Sequence, residues 1–198
     1  MSEVTIIDSG GANLASLAFA LERLGARAHI TRDATQIAAA ARVILPGVGS
    51  AHDAMRRLQQ AGLIEHLPRL RQPVLGICLG MQLLYERSQE GATECLGVLP
   101  GMVQRLEPSP GLPVPHMGWN QLEPRARDPL LAGVPAGCYM YFVHGYAAPV
   151  AEYACAVTEY GKPFAAIVRR DNFWGTQFHP ERSGAAGAQL LRNFLELQ

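Results

Sequence analysis

Charge is scarce in this 198-residue sequence and it cancels: 17% of residues are charged, 17 basic against 17 acidic. No run of Lys and Arg exceeds the pairs Arg56-Arg57 and Arg169-Arg170. A surface suited to a phosphate backbone is therefore missing, and nucleic acid is excluded as a partner class. Long hydrophobic runs are missing too. No stretch reaches the roughly 20 apolar residues that span a bilayer. The opening MSEVTIIDSG carries an acidic residue and a strand-like run where an export signal has a basic segment and a long apolar core. No membrane association is expected, and the expected location is the cytoplasm. Cysteine is sparse. Cys78, Cys95, Cys138 and Cys155 stand far apart with no C-x-x-C pair, which argues against a zinc site and against a small disulfide scaffold. No metal or cofactor is expected. Repeats, low-complexity tracts and linkers are absent as well. What the chain has in quantity is apolar material, 48% of residues, enough to bury the core of a single domain over residues 1–198.

The stretch that organises the chain is VLGICLGMQLLYE, Val74 to Glu86. Val74, Leu75, Gly76 and Ile77 make a short apolar run that reads as a buried strand, and Leu79, Gln82, Leu83 and Glu86 follow at helical spacing. Cys78 stands at the junction. Gly76-x-Cys78-x-Gly80 is the thiol counterpart of the G-x-S-x-G elbow, in which a strained strand-to-helix turn lifts a nucleophile above a sheet. A thiol held there faces the first N–H groups of the helix, whose partial positive charge favours thiolate. Cys78 is the candidate nucleophile; the alternative is an inert cysteine packed behind a strand.

Around this stretch, β and α patterns alternate. Val4 to Asp8 reads as a strand and Gly10-Gly11 as a tight turn. Leu14, Leu17, Ala18, Leu21 and Leu24 form an apolar helical face ended by Gly25. Ala28 to Thr31 is a second strand, Asp33 caps a short alanine-rich helix, and Arg42 to Leu45 is a third strand running into PGVGS. A helical pattern covers Asp53 to Leu70. With the elbow this gives at least four βα steps, hence an α/β fold: an open, mostly parallel sheet with helices on both faces and ligands at the carboxyl ends of the strands. Both PGVG and Cys78 fall at such ends. The second half changes character. Its runs Val98 to Leu106, Trp119 to Leu122, Tyr139 to Val143, Tyr153 to Glu159 and Phe164 to Arg169 read as antiparallel strands. PSPGLPVPHMG, with four prolines, reads as an extended surface loop placed to face a partner. A closing amphipathic helix follows Gly184, built on Ala188, Leu191 and Leu195 with Leu190, Phe194 and Leu197.

A cysteine nucleophile needs a base that makes thiolate and later protonates the leaving group, and histidine has a suitable pKa. Of His29, His52, His66, His116, His144 and His179, the last stands out in TQFHPERSG. Pro180 restricts His179 to extended backbone, where residues i and i+2 share a face. Glu181 therefore lies beside it, able to bond one ring nitrogen and present the other to Cys78. The alternatives are a His-Pro-Glu surface turn, and His52 as base from a helix start or the rim of the site. Acyl chemistry also needs oxyanion donors, each worth roughly 3 kcal/mol of barrier. The Leu79 N–H is the usual elbow donor, and the glycine-flanked loop Pro46-Gly47-Val48-Gly49 offers that of Val48 in a peptide that Gly47 and Gly49 leave free to reorient. An ordinary glycine turn is the alternative reading of that loop.

PGVG, GICLGMQ and QFHPE, in this order and spacing, resemble the class I glutamine amidotransferases, whose sheet is flavodoxin-like. PHMGWN, YFVH and HPERSG bring the resemblance close to the glutaminase subunits of imidazole glycerol phosphate synthases, over nearly the whole chain. The resemblance implies that Cys78 attacks the side-chain amide of glutamine, His179 moves the proton and Glu181 orients it. It implies substrate contacts from Gly49, Gln82, His144, Gly145 and Tyr146. Such subunits usually carry Ser or Thr where this chain has Gly145, so a side-chain contact to glutamine is expected to be missing there. It further implies a heterodimer with a (β/α)₈ barrel cyclase that receives ammonia, docked through Met117, Trp119, Asn120, Tyr141 and Arg182. Two rivals remain open: the glutaminase of another synthase, such as those making pyridoxal phosphate or anthranilate, and a degenerate, non-catalytic subunit.

Overall fold

The first half folds as its alternating patterns predict. In the computed structural model, which describes residues 2–10 and 14–197, β1 (Ser2–Ile7) leads through α1 (Leu14–Arg23), β2 (Ala26–Thr31), α2 (Ala34–Ala39), β3 (Val43–Gly47) and α3 (Ala51–Gln60) to β4 (Val74–Cys78). Gly11, half of the expected glycine turn, lies outside the described residues. All the strand pairs here are parallel, and β3 and β4 are buried at every position, as central strands covered on both faces must be. Asp33 accepts from the N–H groups of Thr35 and Gln36 to cap α2, and Ser50 accepts from that of Asp53 to cap α3.

α3 ends at Gln60, ten residues before the expected Leu70. Gly62 takes φ 69° and closes the helix with paired 2.9 Å bonds, Gly62 N–H to the Gln59 carbonyl and Leu63 N–H to that of Leu58, the Schellman pattern that needs a left-handed residue. Leu63, Leu67 and Leu70 are still buried, but from a turn and a short 3₁₀ segment.

The elbow helix is shorter than expected: α4 spans only Leu79–Leu83, and Glu86 falls in β5 (Tyr85–Ser88). Leu79 to Tyr85 is buried throughout, so this stretch has no wet helical face to prolong. β6 (Thr93–Glu94), β7 (Leu99–Arg105), β8 (His116–Pro124), β9 (Cys138–His144), β10 (Tyr146–Ala147), β11 (Ala154–Tyr160), β12 (Lys162–Arg170), β13 (Phe173–Thr176) and α5 (Gly184–Glu196) complete the chain. Residues 107–115 form an exposed loop, but the expected loop ran on to Gly118: His116–Gly118 already belong to β8, with His116 buried.

The main sheet has nine strands in the order β2-β1-β3-β4-β13-β12-β11-β8-β9. Its second half is antiparallel, as four of the five short β-rich runs suggest; the fifth, Val98 to Leu106, is β7, which pairs parallel with β5 and lies outside this sheet. The joint is β13, a strand that the sequence reading passed over. A hairpin sets it antiparallel to β12, and it then lies parallel to β4. A separate sheet runs β10-β7-β5-β6. Alternation along the central strands splits the core: Ile6 and Ile44 face Leu17, Leu21, Leu190 and Phe194 of α1 and α5. Ile7 and Leu45 face Ile37, Leu58 and Met81 of α2, α3 and α4.

Candidate active site

Three neighbouring parallel strands, β3, β4 and β13, deliver their carboxyl ends to one edge of the sheet. Gly47 lies opposite Cys78 and Thr176 opposite Ile77, so the register alone brings the PGVG turn, the thiol and the Gln177–His179 segment together. Cys78 sits at φ 55°, ψ −110°, a backbone region that costs a non-glycine residue about 1–3 kcal/mol. The elbow is packed to the limit. A Cβ at Gly80 would lie 1.8 Å from the Leu45 carbonyl oxygen, and one at Gly76 would lie 2.7 Å from the backbone of Gly80, so neither position admits a side chain.

His179 follows β13, with its N–H bonded to the Tyr141 carbonyl at 2.9 Å and its carbonyl accepting from Ser183 Oγ at 2.6 Å. Glu181 Oε1 lies 2.8 Å from His179 Nδ1, reached from a 3₁₀ turn over Pro180–Arg182 and not along a continuing strand. Nε2, the other ring nitrogen, is buried with no hydrogen-bond partner among the described residues. Cys78 borders one cavity with His179 and acts on that ring. Burial pulls the imidazole pKa down, but the Cys78 thiol and the Glu181 carboxylate together outweigh it and carry it up to about 10. An imidazolium facing a sulfur is the arrangement that a cysteine hydrolase needs. Burial raises the thiols of Cys95 to about 11 and Cys155 to about 12, and raises that of Cys138 as well.

A cavity of about 330 Å³ opens on Cys78, and Val48, Gly49, Leu79, Gln82, His144, Gly145, Tyr146 and His179 all line it. Thus every residue expected to be catalytic, oxyanion-forming or substrate-binding borders that cavity except Glu181, which stands behind His179. His52 does not; it is exposed on α3. Two residues at or beside the cavity escaped the sequence reading of the site. Glu90 is the one carboxylate in the wall among the described residues, its Oε2 accepting from the Ala51 N–H at 2.7 Å. Gln177, fully buried, accepts from Gln82 Nε2 at 3.0 Å and places its own Nε2 3.9 Å from Cys78 Sγ. Glu90 belongs to an irregular turn with no motif around it, whereas Gln177 stands inside QFHPE, where the sequence gives it no role of its own.

On the outer face of β8 and β9, Met117, Trp119 and Tyr139 are 64%, 55% and 56% exposed. Trp119 meets Tyr141 edge to face at 5.8 Å, and the Arg182 guanidinium lies 4.6 Å above the Tyr141 ring. Tyr139 was missing from the expected docking set. Asn120, which was in it, is turned to the other face of β8, its amide donating to the Glu159 carbonyl at 2.9 Å. A second cavity, about 280 Å³, lies behind the thiol; Val48, Val143 and His179 line both, and Arg182 borders this one alone.

The sequence profile described as glutamine amidotransferase class-I matches residues 5–197. The chain belongs to the class-I glutamine amidotransferase family. It is 57% identical over 197 residues to the imidazole glycerol phosphate synthase subunit HisH of Xylella fastidiosa strain Temecula1, and 55% identical to that of Xanthomonas euvesicatoria pv. vesicatoria strain 85-10, spanning 100% of this chain and 98% of each relative. Among solved structures, a glutamine amidotransferase superposes with TM-score 0.75 at 21% identity, covering 98% of this chain and 97% of that one. A glutamine amidotransferase from Thermotoga maritima gives 0.70 at 18%, covering 98% and 96%. At those identities the structures speak to the fold alone.

Proposed function

We propose that the chain is the glutaminase subunit of an imidazole glycerol phosphate synthase, working in histidine biosynthesis and docked on a (β/α)₈ barrel cyclase. The observation that carries this reading is the Cys78–His179–Glu181 constellation, set at the mouth of a glutamine-sized cavity in a chain more than half identical to such subunits. Cys78 thiolate attacks the side-chain amide carbon of glutamine, and the Leu79 and Val48 N–H groups take the developing oxyanion. His179 gives its Nε2 proton to the departing nitrogen, which leaves as ammonia, while a γ-glutamyl thioester forms on Cys78. His179, now neutral, accepts a proton from water as that water attacks the thioester, and glutamate and the thiolate are regenerated. Glu181 holds Nδ1 throughout. Glu90 is placed to meet the substrate's α-ammonium group, and Gly49 and the 144–146 turn to meet its α-carboxylate.

Ammonia loose in water at neutral pH becomes ammonium and loses its nucleophilic lone pair. The cavity behind Cys78, sharing Val48, Val143 and His179 with the substrate cavity and opening beside Arg182, supports an exit toward the Trp119–Tyr141 face, where the cyclase would receive it. That enzyme then forms imidazole glycerol phosphate and the aminoimidazole carboxamide ribonucleotide. The test is glutamate release from glutamine by this chain alone, with the cyclase, and with the cyclase and its nucleotide. Release that rises with the cyclase complex supports the reading; no release in any of the three mixtures contradicts it.

A further inference from the structure

Two buried histidines take no proton from the thiol. His116 and His144 sit opposite each other on β8 and β9, with His116 Nδ1 3.1 Å from His144 Nε2. The protons of this pair follow from its two ends. A carbonyl only accepts, so His144 Nδ1, 2.8 Å from the Tyr146 oxygen, carries hydrogen. His144 Nε2 must then accept from His116 Nδ1–H, and His116 Nε2 must accept from Asn120 Nδ2 at 3.3 Å. The orientation of Asn120 is fixed independently, because its Oδ1 accepts from the Gln121 N–H at 2.8 Å and its Nδ2 donates to the Glu159 carbonyl at 2.9 Å. Every link is neutral and points the same way. The His116 ring is clamped between Tyr160 and Phe142, at centroid distances of 4.0 and 5.0 Å. Burial lowers His116 to about 4 and His144 to about 3, which keeps both rings uncharged at neutral pH.

The far end of the chain of bonds is the substrate cavity. The Tyr146 carbonyl also accepts from Gln82 Nε2 at 2.8 Å, and Gln82 connects through Gln177 to the sulfur. Both nitrogens of the His144 ring are spent inside the protein, so the ring itself has no free group for glutamine. We propose that His116, which does not line the cavity, is a positioning residue for glutamine binding: by donating to His144 it selects the tautomer that ties down the Tyr146 carbonyl, and so holds the 144–146 turn and Gln82 in place. The proposal rests on the glutaminase reading above. It assigns to His116 an effect on substrate affinity and not on the chemical step.

The experiment measures glutamine kinetics in the complex with the cyclase. His116→Phe keeps the ring stack and removes the donor; His116→Asn restores an N–H at the place of Nδ1. The expected result is a KM about tenfold higher in His116→Phe with kcat changed less than about threefold, and recovery of most of that loss in His116→Asn. A wild-type KM in His116→Phe, or no recovery in His116→Asn, overturns the proposal. Nitrogen-15 NMR of the wild-type chain reads the tautomer without relying on a variant: His144 is expected neutral with hydrogen on Nδ1 at pH 7, and hydrogen on Nε2, or on both nitrogens, overturns it. A wild-type complex that releases no glutamate defeats the glutaminase reading instead, while the NMR result still judges the tautomer.

Discussion

His179 and His144 border the same cavity and both are buried, yet their surroundings drive them to opposite protonation states. His179 faces a carboxylate on one side and a thiol on the other, and is held as imidazolium. His144 faces a carbonyl and a neutral imidazole, and burial strips its proton. Desolvation acts on both in the same direction. What separates them is whether a neighbour can bear negative charge. One cavity thus holds both a charged imidazolium and an uncharged imidazole in its lining.

Removing the sulfur breaks the comparison most severely. Cys78→Ala deletes both the nucleophile and one of the two groups that hold His179 cationic, and glutamate release by the cyclase complex is expected to fall by about 10³-fold or more in a steady-state assay. Glu181→Gln leaves the nucleophile and takes the other group. Turnover should fall by at least about 10²-fold, with the His179 titration, followed by NMR, moving down from its raised position.

Stability against pH sharpens the comparison. His179 binds its proton more tightly folded than unfolded, so its contribution is full below the unfolded value of about 6.5 and is lost as pH rises toward about 10. His116 and His144 bind theirs less tightly when folded; their contribution is full above about 6.5 and is lost as pH falls toward about 4 for His116 and about 3 for His144. Melting temperature should therefore decline on both sides, with Glu181→Gln flattening the alkaline limb and His116→Phe the acid limb. The smallest effect belongs to Gly145→Ser. A Cβ there would meet only Val114, at 3.7 Å, so the added hydroxyl should leave the melting temperature within about 1 °C and the glutamine KM within about threefold of wild type.

The Cys78–His179–Glu181 constellation was legible because each member is tied to local backbone chemistry: Gly76 and Gly80 mark the crowded elbow, and Pro180 fixes the chain that pairs His179 with Glu181. Glu90 and Tyr139 were not, since nothing in their immediate neighbours sets them apart, and Gln177 stood inside QFHPE without a role of its own; tertiary register brings them in. The same limit governs the fold. The parallel half shows as alternating patterns, whereas β13 is four residues long and is not among the runs read as strands, although it joins the two halves of the sheet. Helix ends were misjudged where leucines stay buried beyond the helix, after Gly62 in one case and along the wholly buried stretch to Tyr85 in the other. Apolar spacing records burial, and here burial outlasts the hydrogen-bond ladder.

The account rests on one activated thiol among four. Treating the cyclase complex with an electrophilic glutamine analogue and locating the adduct by mass spectrometry tests this most directly. One label per chain, on Cys78, is the expected result. An adduct on Cys95, Cys138 or Cys155 with Cys78 untouched, or no adduct at all, would contradict it.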